Sequence, residues 1–176
     1  LVVDNQNGVA LENTANNNTV DGNIIGLDVT LLTALGNHKN GVYIGESANH
    51  NTIGPDNIIS GNTKNGVLIE HNGSDNNLVK DSWIGTDGVN GDLALPNGEN
   101  GVHIRNNPVQ CTVSGCLISG NGENGVLVEN QGTNQHTVDN CIIGTNLDGD
   151  ALLGNAMNGV FFKDVTQTNT VSNCLI

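Results

Sequence analysis

Six copies of Asn-Gly-Val punctuate this chain, beginning at Asn7, Asn40, Asn65, Asn100, Asn124 and Asn158. Successive copies lie 33, 25, 35, 24 and 34 residues apart, so long and short intervals alternate. Self-similarity at a period in this range is the signature of a solenoid, in which each repeat buries its apolar face on its neighbours. No other feature of the sequence restricts the fold as tightly.

Two further landmarks travel with each copy. Eleven or twelve residues after the Asn comes a second segment, as in Asn18-Thr19-Val20, Asn51-Thr52-Ile53, Asn77-Leu78-Val79, Cys111-Thr112-Val113, His136-Thr137-Val138 and Asn169-Thr170-Val171. A third follows five or six residues later, as in Asn23-Ile24-Ile25, Asn57-Ile58-Ile59, Ser82-Trp83-Ile84, Cys116-Leu117-Ile118, Cys141-Ile142-Ile143 and Cys174-Leu175-Ile176. Each segment is short and β-rich. Alternation along a strand places Val of the first segment and the residue two later inward, and likewise the Asn, Ser or Cys and the final aliphatic of the third. The expectation is an all-β solenoid of about six coils, three short strands to a coil, with coils ~4.8 Å apart and a body ~29 Å long.

Composition agrees. The 176 residues include 32 Asn and 24 Gly but four aromatic residues, which suits a chain that turns often between short strands. Left-handed corners and stacked Asn amides account for that usage. Disorder is excluded, because the aliphatic residues recur at fixed places rather than being depleted. A net charge of −13 with five basic residues argues against nucleic acid and anionic membrane as partners. No stretch of 18 or more consecutive apolar residues is present, so no helical membrane insertion is expected. The chain opens at Leu1 and stops inside an apolar run, which reads as one β-helix domain, 1–176, cut from a longer solenoid.

The pattern "NTIG…NIISGN…NGVLIE…NNLV…SWIGTDG…LALPN…NGV" resembles the right-handed parallel β-helix repeats of the pectate-lyase-like superfamily. It is most similar to the tandem-repeat versions found in large bacterial surface and secreted proteins. The resemblance implies the fold over essentially the whole chain. For activity it implies a range, since that scaffold hosts lyases, hydrolases, tailspikes and non-catalytic stalks alike.

The long intervals exceed the short ones through inserts at 26–39, 85–99 and 144–157, which align on Gly26, Gly85 and Gly144 and on Leu35, Leu95 and Leu153. On alternate coils they should emerge on one flank ~9.6 Å apart, with their Ala-Leu segments covering the outward column Ile24, Ile58, Trp83, Leu117, Ile142 and Leu175. Trp83 is then a buried anchor. Asp87, Asp92, Asp148 and Asp150 lie in Gly-rich turns and are candidate Ca²⁺ ligands, because hard cations take several oxygens from such loops. The competing reading is an acidic, solvated turn, favoured by the first insert, which carries only Asp28.

Two outward columns mark the first strand. One reads Ala10, Tyr43, Leu68, His103, Leu127 and Phe161; the other reads Glu12, Gly45, Glu70, Arg105, Glu129 and Lys163. The second column is expected to form a ladder of surface ion pairs, each worth ~0–1 kcal/mol. The alternative is a polysaccharide-cleaving site, lyase or hydrolase, made of His103, Arg105, Glu70 and Glu129. The apolar members of the first column need a cover, from the inserts, another chain or another part of the same protein.

Cys116, Cys141 and Cys174 share one inward column, and Cys111 occupies a corner five residues before Cys116. Parallel side-chain vectors make disulfides awkward there, so a stack of buried free thiols is expected. Taken together, the residues favour a non-catalytic structural or adhesive segment of an extracellular, cell-surface or particle-surface protein. Its partners would be further coils, neighbouring subunits or surface polysaccharide. No cofactor beyond the candidate Ca²⁺ is indicated.

Overall fold

The computed structural model describes residues 1–164 and 167–176. Its strands are all parallel within three sheets, ordered strictly by coil. The first sheet stacks Val9–Leu11, Val42–Ile44, Val67–Glu70, Val102–Arg105, Val126–Glu129 and Val160–Phe162. The second stacks Thr19–Val20, Thr52–Ile53, Leu78–Lys80, Thr112–Ser114, Thr137–Asp139 and Thr170–Ser172. The third stacks Ile24–Ile25, Ile58–Ile59, Trp83–Ile84, Leu117–Ile118 and Ile142–Ile143. This is a parallel β-helix. Its sixth position in the third sheet is held by a lone bridge from Leu175 to Ile142 rather than by a strand.

The register follows the repeat. Tyr43, Leu68, His103, Leu127 and Phe161 are successive partners across the first sheet. Inside, Val42, Ile44, Val67, Ile69, Val102, Val126 and Val128 are fully buried and stack with Ile53, Val79, Ile59 and Ile84 of the other sheets. Each aliphatic rests on its counterpart one coil away, so the core is a set of columns that no single coil could form alone.

The corners ahead of the second and third sheets divide their labour between adjacent residues. The ladder Asn residues were expected to share the left-handed conformation with Gly, and they do not adopt it. The left-handed residue is the one just before: Asn17, His50, Asn76, Gln110, Gln135 and Thr168 ahead of the second sheet, and Gly22, Asp56, Asp81, Gly115, Asn140 and Asn173 ahead of the third. That residue turns the chain, which frees the next one to point its side chain inward and bond along the stack.

The motif glycines also differ from expectation. They are required for closeness, not for a left-handed turn. A Cβ on Gly66 would lie 2.6 Å from the carbonyl oxygen of Gly101 and 2.6 Å from Cγ2 of Ile84. The neighbouring coil occupies the space a side chain would need.

The inserts form a second layer on the third sheet. Each is a short hairpin closed by an antiparallel bridge, Leu27 to Ala34, Thr86 to Ala94 and Thr145 to Leu152. The tips reach one another: Gly88 N–H donates to the carbonyl of Leu31 at 3.3 Å, and Asn146 Nδ2 donates to Asp92 at 2.9 Å. Their Ala residues do not cover the outward column, as the sequence had suggested. Ala34 and Ala94 sit on Gly61 and Gly120, where an added Cβ would come within 2.8 Å of each methyl. The tips do the covering instead, with Gly91 against Leu117 and Gly88 against Ile58. Trp83 lies between those two crossings and stays half-buried rather than sealed.

Candidate functional site: the outer face of the first sheet

A groove of about 370 Å³ runs over the outer face of the first sheet. Tyr43 and Leu68 line it, one rim carries Glu12, Glu70 and Arg105, and the other carries Lys39, Lys64 and Glu99. The first rim is the charged outward column already read from the sequence. The second was missed there, although its signal is simple: these are the residues immediately before successive Asn-Gly-Val motifs. Their backbones hold register, since Lys64 N–H donates to Lys39 and Glu99 N–H donates to Lys64, at 2.8 and 3.0 Å. Long charged side chains on two parallel rows thus flank a narrower apolar row, which is how Leu68 and Leu127 become buried on an outward face.

The four residues proposed for catalysis fall into two separate groups. Arg105 Nε donates to Glu70 Oε2 at 2.8 Å. One coil further, Glu129 is shared: Oε1 stands 3.1 Å from His103 Nε2 and Oε2 stands 3.1 Å from Lys163 Nζ. Burial raises the carboxyl of Glu129, but Lys163 and His103 together outweigh it and hold its pKa below the ordinary value. Glu70 and Arg105 line the groove, whereas His103 and Glu129 do not.

His103 is 4% exposed, and its Nδ1 has no partner. Burial and then Arg105 push its pKa down, against the pull of Glu129. Tyr43 is pushed up to about 12 by burial and by the Glu70, Glu12 and Glu46 carboxylates. A phenol so placed stays protonated and donates. The face therefore offers hydrogen-bond donors and acceptors of both signs along a row, a set suited to contacting a polar chain molecule.

The acidic residues of the inserts separate as well. Asp87 accepts from the backbone N–H groups of Val89 and Asn90 at Oδ1 and of Leu93 at Oδ2, at 2.8, 3.0 and 2.7 Å. Burial raises its pKa, yet these backbone donors prevail and leave it lowered. Asp28 takes the same role in the first insert, accepting from Thr30 Oγ1 at 2.8 Å, and Asn146 takes it in the third. The shared Gly-x-(Asp/Asn) at the mouth of each insert is thus a loop-organising position that the sequence reading did not single out. Asp92 and Asp150 both meet Asn146 Nδ2, at 2.9 and 3.0 Å, and Asp148 is exposed. Among the described residues no three His, Cys, Asp or Glu side chains converge as a metal-holding group.

All four cysteines are free thiols. In their column five of the six side chains donate to the carbonyl two residues earlier, Asn23 to Asp21, Ser82 to Lys80, Cys116 to Ser114, Cys141 to Asp139 and Cys174 to Ser172, whereas Asn57 donates to Val20 one coil back. The exchange of Asn for Ser and Cys keeps a small donor at one place. Burial pushes the Cys111 thiol up to about 12.

The sequence model of the right-handed β-helix region matches residues 26–176. The chain belongs to that family. The match spans the three sheets and all three inserts, and it fixes the handedness of the coil. No curated protein and no solved structure matches the chain significantly. Among the described residues of this right-handed β-helix no helix is long and apolar enough to cross a membrane.

Proposed function

We propose that this right-handed β-helix is a non-catalytic structural and adhesive segment of an extracellular, cell-surface or particle-surface protein. Its partners are further coils of the same protein or of neighbouring subunits, and its first-sheet groove is a contact surface for surface polysaccharide. One observation carries the reading: the acids and bases of the catalytic alternative are already paired with one another. Glu70 is held by Arg105, and Glu129 by His103 and Lys163, so neither carboxylate is left poised for proton transfer to a substrate. A stack bonded at every corner suits load-bearing, and a row of mixed charges suits many weak contacts along a polymer.

The test is a screen of acidic polysaccharides for reducing ends and for unsaturated uronates. Background rates are expected, together with retention on at least one immobilised polysaccharide that weakens in Arg105→Ala and Tyr43→Ala. Cleavage that disappears in His103→Ala would overturn the proposal.

A further inference from the structure

The outer face of the third sheet carries a second cavity, remote from the groove and built from different chemistry. It is an open depression of about 220 Å³ lined by Asp56, Asn57, Ile58, Asp81, Trp83 and Gly88. The fold makes it necessary. Strand alternation points the Trp83 indole outward between inward Ser82 and Ile84, and the insert tip crosses beside it at Gly88, whose missing side chain lets the tip lie directly on Ile58. Asp56 and Asp81 are the left-handed corner residues of consecutive coils, with Asp56 N–H donating to the Asp81 carbonyl at 2.8 Å. That bond holds the two corner backbones in register, and both residues line the cavity.

We infer that this cavity binds a compact organic ammonium group, of the kind carried by choline or by an amino sugar. An indole attracts a cation to its face, most strongly where the cation is partly desolvated. Two carboxylates and no lysine or arginine line the cavity, so its field favours a positive guest. Its apolar wall, from Ile58 and the indole, suits the methyl or ring carbons around such a nitrogen. An inorganic cation would gain little from that wall. Lys80 is a resident competitor, its Nζ 3.8 Å from Asp81 Oδ2. The inference stands apart from the proposed role of the first-sheet groove and survives its failure.

Trp83 is the single tryptophan of the chain, so its fluorescence reports on this cavity and on the neighbouring one it lines with Leu117 and Leu147, and a response lost in Asp56→Asn and Asp81→Asn belongs to this one. The intact protein is titrated at constant ionic strength with choline chloride, with glucosamine hydrochloride, and with 3,3-dimethyl-1-butanol as the uncharged isostere of choline. A saturable change in the millimolar range is expected for at least one ammonium ligand and not for the isostere. The tighter of the two names the source, quaternary or primary. Asp56→Asn and Asp81→Asn should each weaken binding about fivefold, while Lys80→Gln should tighten it. Both Asp side chains are exposed, so unchanged melting of the variants separates lost binding from lost structure. A response no different from sodium chloride, an equal response to the isostere, or full binding by both Asn variants would overturn the inference.

Discussion

The corner column ahead of the first sheet and the one ahead of the second perform the same task with different chemistry. In the first, six Asn residues run unbroken from Asn7 to Asn158. Each of the five after Asn7 gives both its backbone N–H and its Nδ2 to the Oδ1 of the Asn one coil earlier, as Asn124 does to Asn100 at 3.2 and 2.8 Å. In the second, Asn18, Asn51 and Asn77 behave alike with the direction reversed, and then Cys111 and His136 intervene. The backbone N–H of Cys111 donates to Nδ1 of His136 at 3.1 Å, and that of His136 to Oδ1 of Asn169 at 2.9 Å. A ring nitrogen thus replaces an amide oxygen. At most heights the stack uses an inward acceptor, usually from Asn; Cys111 is the exception, its Sγ donating to the Ser74 carbonyl.

The sharpest break should come from the unbroken column. Asn100→Ala strips the acceptor from both buried donors of Asn124. Two orphaned groups should cost about 4 kcal/mol in chemical denaturation. Gly66→Ala attacks the same corner sterically, forcing a methyl against Gly101 and Ile84, and should cost about 3 kcal/mol. Gly154→Ala is its control: no heavy atom lies within 4 Å, so the midpoint should stay within about 0.5 kcal/mol of the parent.

The broken column predicts a pH dependence that the unbroken one lacks. Nδ1 of His136 must be unprotonated to accept, and burial pushes its pKa from 6.5 down to about 4. Because the folded value lies below the unfolded one, its contribution is complete above about pH 6.5 and is lost as pH falls toward 4. Roughly 2 to 3 kcal/mol should disappear over that window. His136→Asn restores an amide and should flatten that part of the pH–stability curve; an unchanged acid slope would show that His136 is not its source.

The smallest effects belong to the donor column and the surface. Cys141→Ser keeps a donor for the Asp139 carbonyl, as Ser82 does for Lys80, and should shift stability by about 1 kcal/mol or less. Lys163→Ala removes one arm from Glu129 at an exposed site and should leave the thermal midpoint nearly unchanged.

Much of this was legible in the residues. The first-sheet register, from Tyr43 through Leu68 and His103 to Leu127, followed from the Asn-Gly-Val spacing, because in-register stacking leaves only one alignment of successive copies. The candidate face followed too, as columns. How its charges pair did not: that Glu129 joins His103 and Lys163 while Glu70 joins Arg105 depends on side-chain rotamers across four coils. The second rim was readable at Lys39, Lys64 and Glu99 but carried no meaning until the sheet showed which residues flank it. Trp83 was misjudged because its cover depends on where an insert tip crosses, and insert sequences differ at their tips.

By itself, then, the sequence determined the coil count, the three-sided cross-section, the inward columns and the stacked amides, since a repeating chain can satisfy its buried polar groups and aliphatic residues only by lying in register on itself. The tertiary structure decided which residue turns left-handed ahead of the second and third sheets, how the inserts cross the third sheet, and where cavities open on the outer faces. Those features are set by contacts between neighbouring coils and loops, whose partners are distant in sequence and follow no period.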